Sequence, residues 1–92
     1  MPVPYHSIVP QMRTLRAFES AGRLGSFSAA ADELDTTQSA VSRTIAELER
    51  RMAVRLFERR HRGVSLTEAG ELYHKAVSDS LARIVAAAAY AS

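Results

Sequence analysis

Gln38, Ser39, Ser42, Arg43 and Ala46 share one sector of a helix at about 100° per residue, and none of the five is an acid. The chemistry open to such a face is recognition: an amide that both donates and accepts, two short hydroxyls and one guanidinium. Gln38 can bond an adenine edge in a bidentate way, or another base with fewer bonds, and Arg43 can reach guanine or a phosphate. Ser39 and Ser42 have short reach, so they touch only what the helix already presses against. A face of this kind implies a negative partner rich in hydrogen-bonding groups. The major groove of double-stranded DNA is the leading expectation.

The elements that must hold this face are legible on either side of it. Val41, Ile45, Leu48 and Met52 recur at i, i+4, i+7 and i+11. They lie within roughly 60° of one another and about 130° from the polar sector, the spacing of a buried stripe. Thr37 is a good N-cap for a helix over 37–52, and Asp35 tolerates the left-handed backbone that ends the helix before it. That earlier helix is capped by Ser26 or Ser28 and buries Phe27, Ala30, Ala31 and Leu34. Its small Ala29, Ala30 and Ala31 let the next helix cross at close range, although helix propensity alone also accounts for alanine. Two such helices joined by Asp35-Thr36-Thr37 form a helix-turn-helix. From Gln11 to about Gly22, Met12, Leu15, Phe18 and Ala21 fall every three residues and predict a first amphipathic helix exposing Arg13, Arg16, Glu19 and Arg23. Gly22 and Gly25 bracket its end.

After Met52 the pattern changes. Val54, Leu56 and Phe57, then the charged turn 58–63, then Val64-Ser65-Leu66 predict a small β-hairpin whose tip projects Arg59, Arg60 and Arg62. Beside a helix-turn-helix such a hairpin is a wing, and arginines at its tip suit a phosphate backbone or narrow minor groove. A solvated charged turn is the plainer reading. Thr67 opens a last helix that can run to about Tyr90. A domain this small buries only its first part, so Leu81, Ile84, Val85 and Ala88 need another partner, most simply a second copy of the chain. An alanine-rich frayed tail is the alternative.

Ninety-two residues make one small domain with an ordinary apolar content of 47%, a composition that does not suggest disorder. The net charge is only +2, but residues 43–62 hold seven arginines against three glutamates, a local +4 where the candidate reading helix and wing lie. With no cysteine there is neither a disulfide framework nor a thiolate metal site. No metal or other cofactor is expected. His6, His61 and His74 are scattered with no acid at triad or ligand spacing, which argues against an enzyme. No apolar run approaches the ~20 residues of a membrane span. The start carries no basic leader or apolar core, so a cytoplasmic location is expected. Pro2, Pro4 and Pro10 predict an extended, mobile arm over 1–10, followed by a DNA-binding domain over 11–66 and a linker and dimerisation helix over 67–92. A winged-helix module that binds protein instead of DNA is the competing reading.

Three stretches together, S-F-S-A-A-A-D-E-L, Q-S-A-V-S-R-T-I-A-E-L-E and R-L-F-E-R-R-H-R-G-V-S-L-T-E-A-G, resemble the N-terminal DNA-binding domain of LysR-type transcriptional regulators over about residues 12–90. The resemblance implies a mainly α, winged helix-turn-helix fold: a three-helix core, a small β-hairpin wing and a long C-terminal linker helix. It also implies a homodimer through that helix, bound to an interrupted inverted repeat. By position, Thr37, Gln38, Ser39, Ser42 and Arg43 align with the family's recognition-helix contacts, Arg62 with its wing arginine and Arg59 with the arginine of L-F-x-R. Ser39 stands where proline is usual, and Ala53 stands where a glycine is common after the recognition helix. Members of that family continue into a two-lobed effector-binding domain, so an effector ligand is expected only where such a domain is present.

Overall fold

The structure, a computed structural model, describes residues 9–91. The arm expected over 1–10 therefore lies outside the described residues except for Val9 and Pro10. The four helices that follow owe their limits to capping or turn chemistry. Helix α1 (Met12–Leu24) ends where Gly25 adopts a left-handed conformation, φ 65° and ψ 28°. Helix α2 (Phe27–Glu33) starts at Ser26, whose hydroxyl accepts the Ala29 N–H at 3.0 Å. Asp35, at φ 56°, turns the chain without a glycine, and the Thr36 N–H closes back on the Ala31 carbonyl at 2.9 Å. Helix α3 (Gln38–Met52) then begins at Thr37, whose hydroxyl accepts the Ala40 N–H at 3.1 Å. Strands β1 (Phe57–Arg59) and β2 (Val64–Leu66) pair antiparallel, Phe57 opposite Leu66 and Arg59 opposite Val64. Helix α4 (Glu68–Ala91) follows, its start capped by Thr67, which accepts the Gly70 N–H at 2.9 Å.

Three helices, a two-stranded hairpin and a long last helix make this a winged helix-turn-helix. Phe18, Ala21, Ala30, Val41, Ile45, Leu48 and Leu56 fill its centre, and Ala30 and Ala31 mark where α2 is crossed closely. Phe57 ties the hairpin to this core, meeting Phe18 and Phe27 edge-on with ring centroids 5.6 and 5.3 Å apart. On the rear of α1, Arg23 bridges Glu19 and Glu33, while the buried Ser20 hydroxyl donates to Glu33 at 2.5 Å. This network locks α1 to α2. Arg23 and Ser20 hold the Glu33 carboxyl below the usual range, and the two carboxylates raise the Arg23 guanidinium.

Two features differ from the reading of the sequence. Helix α1 continues through Gly22, where a Cβ would lie 2.5 Å from the His74 ring of α4, so that glycine makes room for a neighbour and ends nothing. Met52 is in phase with the buried stripe yet 37% exposed. The core stops at Leu48, and left-handed Ala53, at φ 55°, carries the chain away one residue after Met52. In α4, Val77 is buried and Tyr73 and Leu81 pack on the core, whereas residues 82–91 are all exposed.

Candidate nucleic-acid interface

Helix α3 is fixed at its back by Val41, Ile45 and Leu48, so the polar sector has no choice but to face outward. Thr37, Gln38, Ser39 and Arg43 are exposed there, and Ser42 is half-buried at the edge toward the hairpin. Gln38, Ser42 and Arg43 make no hydrogen bond or ion pair among the described residues, and Ser39 meets only the Thr37 hydroxyl, at 3.3 Å. Farther along the same face, Glu47 pairs with Arg50. That pairing draws the Glu47 carboxyl below its usual range and raises Arg50, so the one acid on the outward side has its charge balanced.

The hairpin stands beside α3 because backbone atoms hold it at both ends. One Glu49 carboxylate oxygen accepts the N–H groups of Leu56 and Phe57 at 2.7 and 3.1 Å. Thr67 donates its hydroxyl to the Arg55 carbonyl at 2.7 Å. The Val64 N–H reaches the Gly25 carbonyl at 3.1 Å, next to Gly63, whose φ of 86° and lack of Cβ permit the close approach. Arg59 and Arg62 project from the hairpin without partners among the described residues. Arg60 does not project freely. Its guanidinium folds along the hairpin to Ser65 at 2.7 Å and Glu58 at 3.4 Å. Ser42, Ala46, Arg55 and Arg59 line one cleft of about 110 Å³ between α3 and the hairpin, which brings the helix and wing candidates together.

Sequence reasoning passed over two features. Glu49 read as one of two acids on a helix; its tie to residues seven and eight positions on follows no periodic signal. Arg13 and Arg16 read only as exposed, yet they line a second cleft of about 230 Å³ on the other flank of α3, with Thr36 and Thr44. The expected dimer residues lie away from this face. Leu81 is half-buried, Ile84 is 53% and Val85 68% exposed, and Ala88 is exposed on the distal part of α4. Among the described residues no group of three or more His, Asp or Glu could hold a metal ion, and no helix is long and apolar enough to cross a membrane.

Fold and face together define a winged helix-turn-helix of the regulatory kind, and the comparisons give its family. Residues 12–71 match the bacterial regulatory helix-turn-helix proteins of the lysR family, and the chain belongs to that family. The uncharacterized HTH-type transcriptional regulator y4mQ of Sinorhizobium fredii is 57% identical over 60 residues, 65% of this chain and 20% of that protein. The glycine cleavage system transcriptional activator homolog of Haemophilus influenzae is 40% identical over 84 residues, 91% of this chain and 28% of that protein. The chain thus spans between a fifth and a third of the length of these curated relatives. Among solved structures, the BenM_DBD/catB site 1 DNA complex superposes with a TM-score of 0.83 at 29% identity, covering 89% of this chain and 92% of that one. The CbnR_DBD-DNA complex gives 0.79 at 29% identity, covering 89% and 94%.

Proposed function

We propose that the chain binds double-stranded DNA sequence-specifically as the DNA-binding part of a transcriptional regulator, with α3 in the major groove and the hairpin on the backbone or minor groove. It does no chemistry on its partner. One observation carries the reading: Gln38 and Arg43 face outward with no side-chain partner among the described residues, on a helix whose opposite side is sealed in the core. A groove that supplies acceptors and donors satisfies them at no cost in internal bonds. The superposition on two DNA complexes supports the same reading. Gln38, Ser39 and Arg43 reach base edges, while Thr37, Ser42, Arg59 and Arg62 hold backbone and fix register. The alternative of a protein-binding module calls for apolar anchors on this face, and there are none among residues 37–43 other than Ala40 and the buried Val41.

The decisive measurement is selection of bound duplexes from a random pool, followed by titration of Arg43→Ala on the selected site. The variant should lose on the order of 1–3 kcal/mol of specific binding and relax the preference at one base position. Unchanged affinity and preference would remove Arg43 from the reading face.

The distal α4 stripe of Leu81, Ile84, Val85 and Ala88 pairs with its copy in a symmetric dimer, which places two reading helices on an interrupted inverted repeat. This is the proposal that the exposed apolar residues support most directly. Ile84→Glu should give monomers in sedimentation with the fold intact. A dimer that persists would exclude this seam.

A further inference from the structure

Arginines flank α3 on both sides, and only one flank has so far been given a role. Taking buried Val41 as the inward direction, Ser42 and Ala46 lie about 100° and 140° to one side, toward the hairpin; Ala40 and Thr44 lie about 100° and 60° to the other. On that second flank the cleft between α1 and the front half of α3 carries Arg13 and Arg16, one helical turn apart on α1, with Thr36 and Thr44 beside them. Both arginines are exposed, and neither makes a hydrogen bond or ion pair among the described residues. The acids of this side do not compete for them. Glu19 is held by Arg23, Glu47 is held by Arg50, and the exposed Asp35 does not line the cleft.

A helix roughly 10–12 Å across fills a major groove about 12 Å wide, so the elements on its two flanks meet the two phosphate walls, and those walls belong to opposite strands. Arg59 faces one wall from the hairpin side. We infer that Arg13 and Arg16 form a second phosphate clamp, gripping the strand opposite to the one that the hairpin meets. The inference rests on the proposed DNA binding and extends it from a one-sided to a two-sided grip. A guanidinium fork suits a phosphate, and because both side chains already stand in water, no buried charge is exposed or stranded when they engage it. The floor of the cleft, Leu34 and Val41, keeps α1 and α3 at fixed separation, so the spacing between the two clamps is set by the core.

The test compares the whole chain with Arg13→Gln/Arg16→Gln and Arg13→Lys/Arg16→Lys, on a mixed-sequence duplex across a salt series and on a pool-selected duplex by phosphate-ethylation interference. The Gln pair should reduce the log–log salt slope by roughly two for each bound protomer, about 0.9 for each lost phosphate contact, with its melting temperature unchanged. The Lys pair keeps both charges and should keep the slope. Within each half-site, interference should vanish at phosphates of one strand only, the strand not affected there by Arg59→Gln. A Gln pair with the wild-type slope overturns the clamp while leaving the proposed function in place. A Lys pair that fails as fully as the Gln pair replaces the clamp with a structural role. Interference lost from both strands of one half-site, or from the strand that Arg59 meets there, overturns the two-sided arrangement. Absence of any binding by the wild type removes the proposed function and the clamp together.

Discussion

The arginines behind α1 and those in front of α3 are the same side chain put to opposite uses. Arg23 is enclosed by Glu19 and Glu33, with Ser20 completing the carboxylate's bonds, and the group joins two helices. Arg13, Arg16, Arg43, Arg59 and Arg62 have no partner among the described residues, and all five are exposed. Surface ion pairs are worth little in stability, a median near zero to about 1 kcal/mol, so the rear network matters for the angle it sets between helices more than for energy. The front charges set nothing within the fold. They keep their hydration and counterions until a polyanion displaces both, which is where salt-dependent binding comes from. Enclosed Arg23 therefore belongs to the scaffold, and the five unpaired arginines around α3 mark the proposed interface.

Glu49 is the residue best placed to break that division, because it lies in the scaffold yet positions the interface. Its carboxylate takes two backbone N–H groups of the hairpin at 2.7 and 3.1 Å. Glu49→Ala leaves both donors part-buried without an acceptor, at a cost of roughly 2–4 kcal/mol. In this small domain that should appear as a large fall in thermal midpoint. Binding should weaken as well, because Arg59 and Arg62 ride on the hairpin that Glu49 holds. A variant that melts early but binds with the wild-type salt slope would show that the wing takes no part in the grip.

The rear network should behave the other way, losing stability without losing binding. Ser20→Ala removes one bond to a carboxylate and should cost on the order of 1 kcal/mol. Acid sharpens the test. Glu33 has its carboxyl lowered in the folded protein, so its contribution is complete above the unfolded carboxylate value, about 4.3, and is lost as pH falls through the lower folded one. The gap between wild type and Ser20→Ala should therefore close as pH is taken below about 4 in unfolding titrations. A gap independent of pH would mean that Ser20 matters only through packing. Duplex affinity at neutral pH should be the same for both.

The sequence carried the parts of the fold that repeat or punctuate. The 3.6-residue period placed Val41, Ile45 and Leu48 in the core, and local cap chemistry placed Asp35 and Thr37 at the turns they make and narrowed the cap of α2 to Ser26 or Ser28, of which the fold uses Ser26. The outward position of Gln38 and Arg43 followed from the same period. What stayed hidden spans elements: Ser20 to Glu33 across 13 residues, and Glu49 to the hairpin. The pairing state of the arginines was hidden for the same reason. Arg60 and Arg62 look alike in the hairpin tip, and only the register that sets Ser65 opposite Glu58 draws Arg60 down. Periodicity also overshoots at helix ends, as Met52 shows, because it describes a phase and does not know where the neighbouring helix stops.

The end of α3 supplies the smallest effect and the cleanest control. Ala53 holds φ 55° and ψ 39°, a conformation that the Cβ of an L-residue makes costly by roughly 1–2 kcal/mol and that glycine adopts freely. Glycine also gains freedom in the unfolded chain, which offsets about 0.5–1 kcal/mol. Ala53→Gly should then stabilise by about 0.5 kcal/mol, a rise of roughly 2–4 °C in melting temperature for a domain of this size. The bonds of the turn, Ala53 N–H to Arg50 and Val54 N–H to Glu49, use backbone atoms and survive the change. No front arginine moves, so affinity and salt slope should match the wild type. A lowered melting temperature would mean that the methyl group is packed to advantage, and an altered slope would mean that scaffold and interface are less separable than their arginines make them.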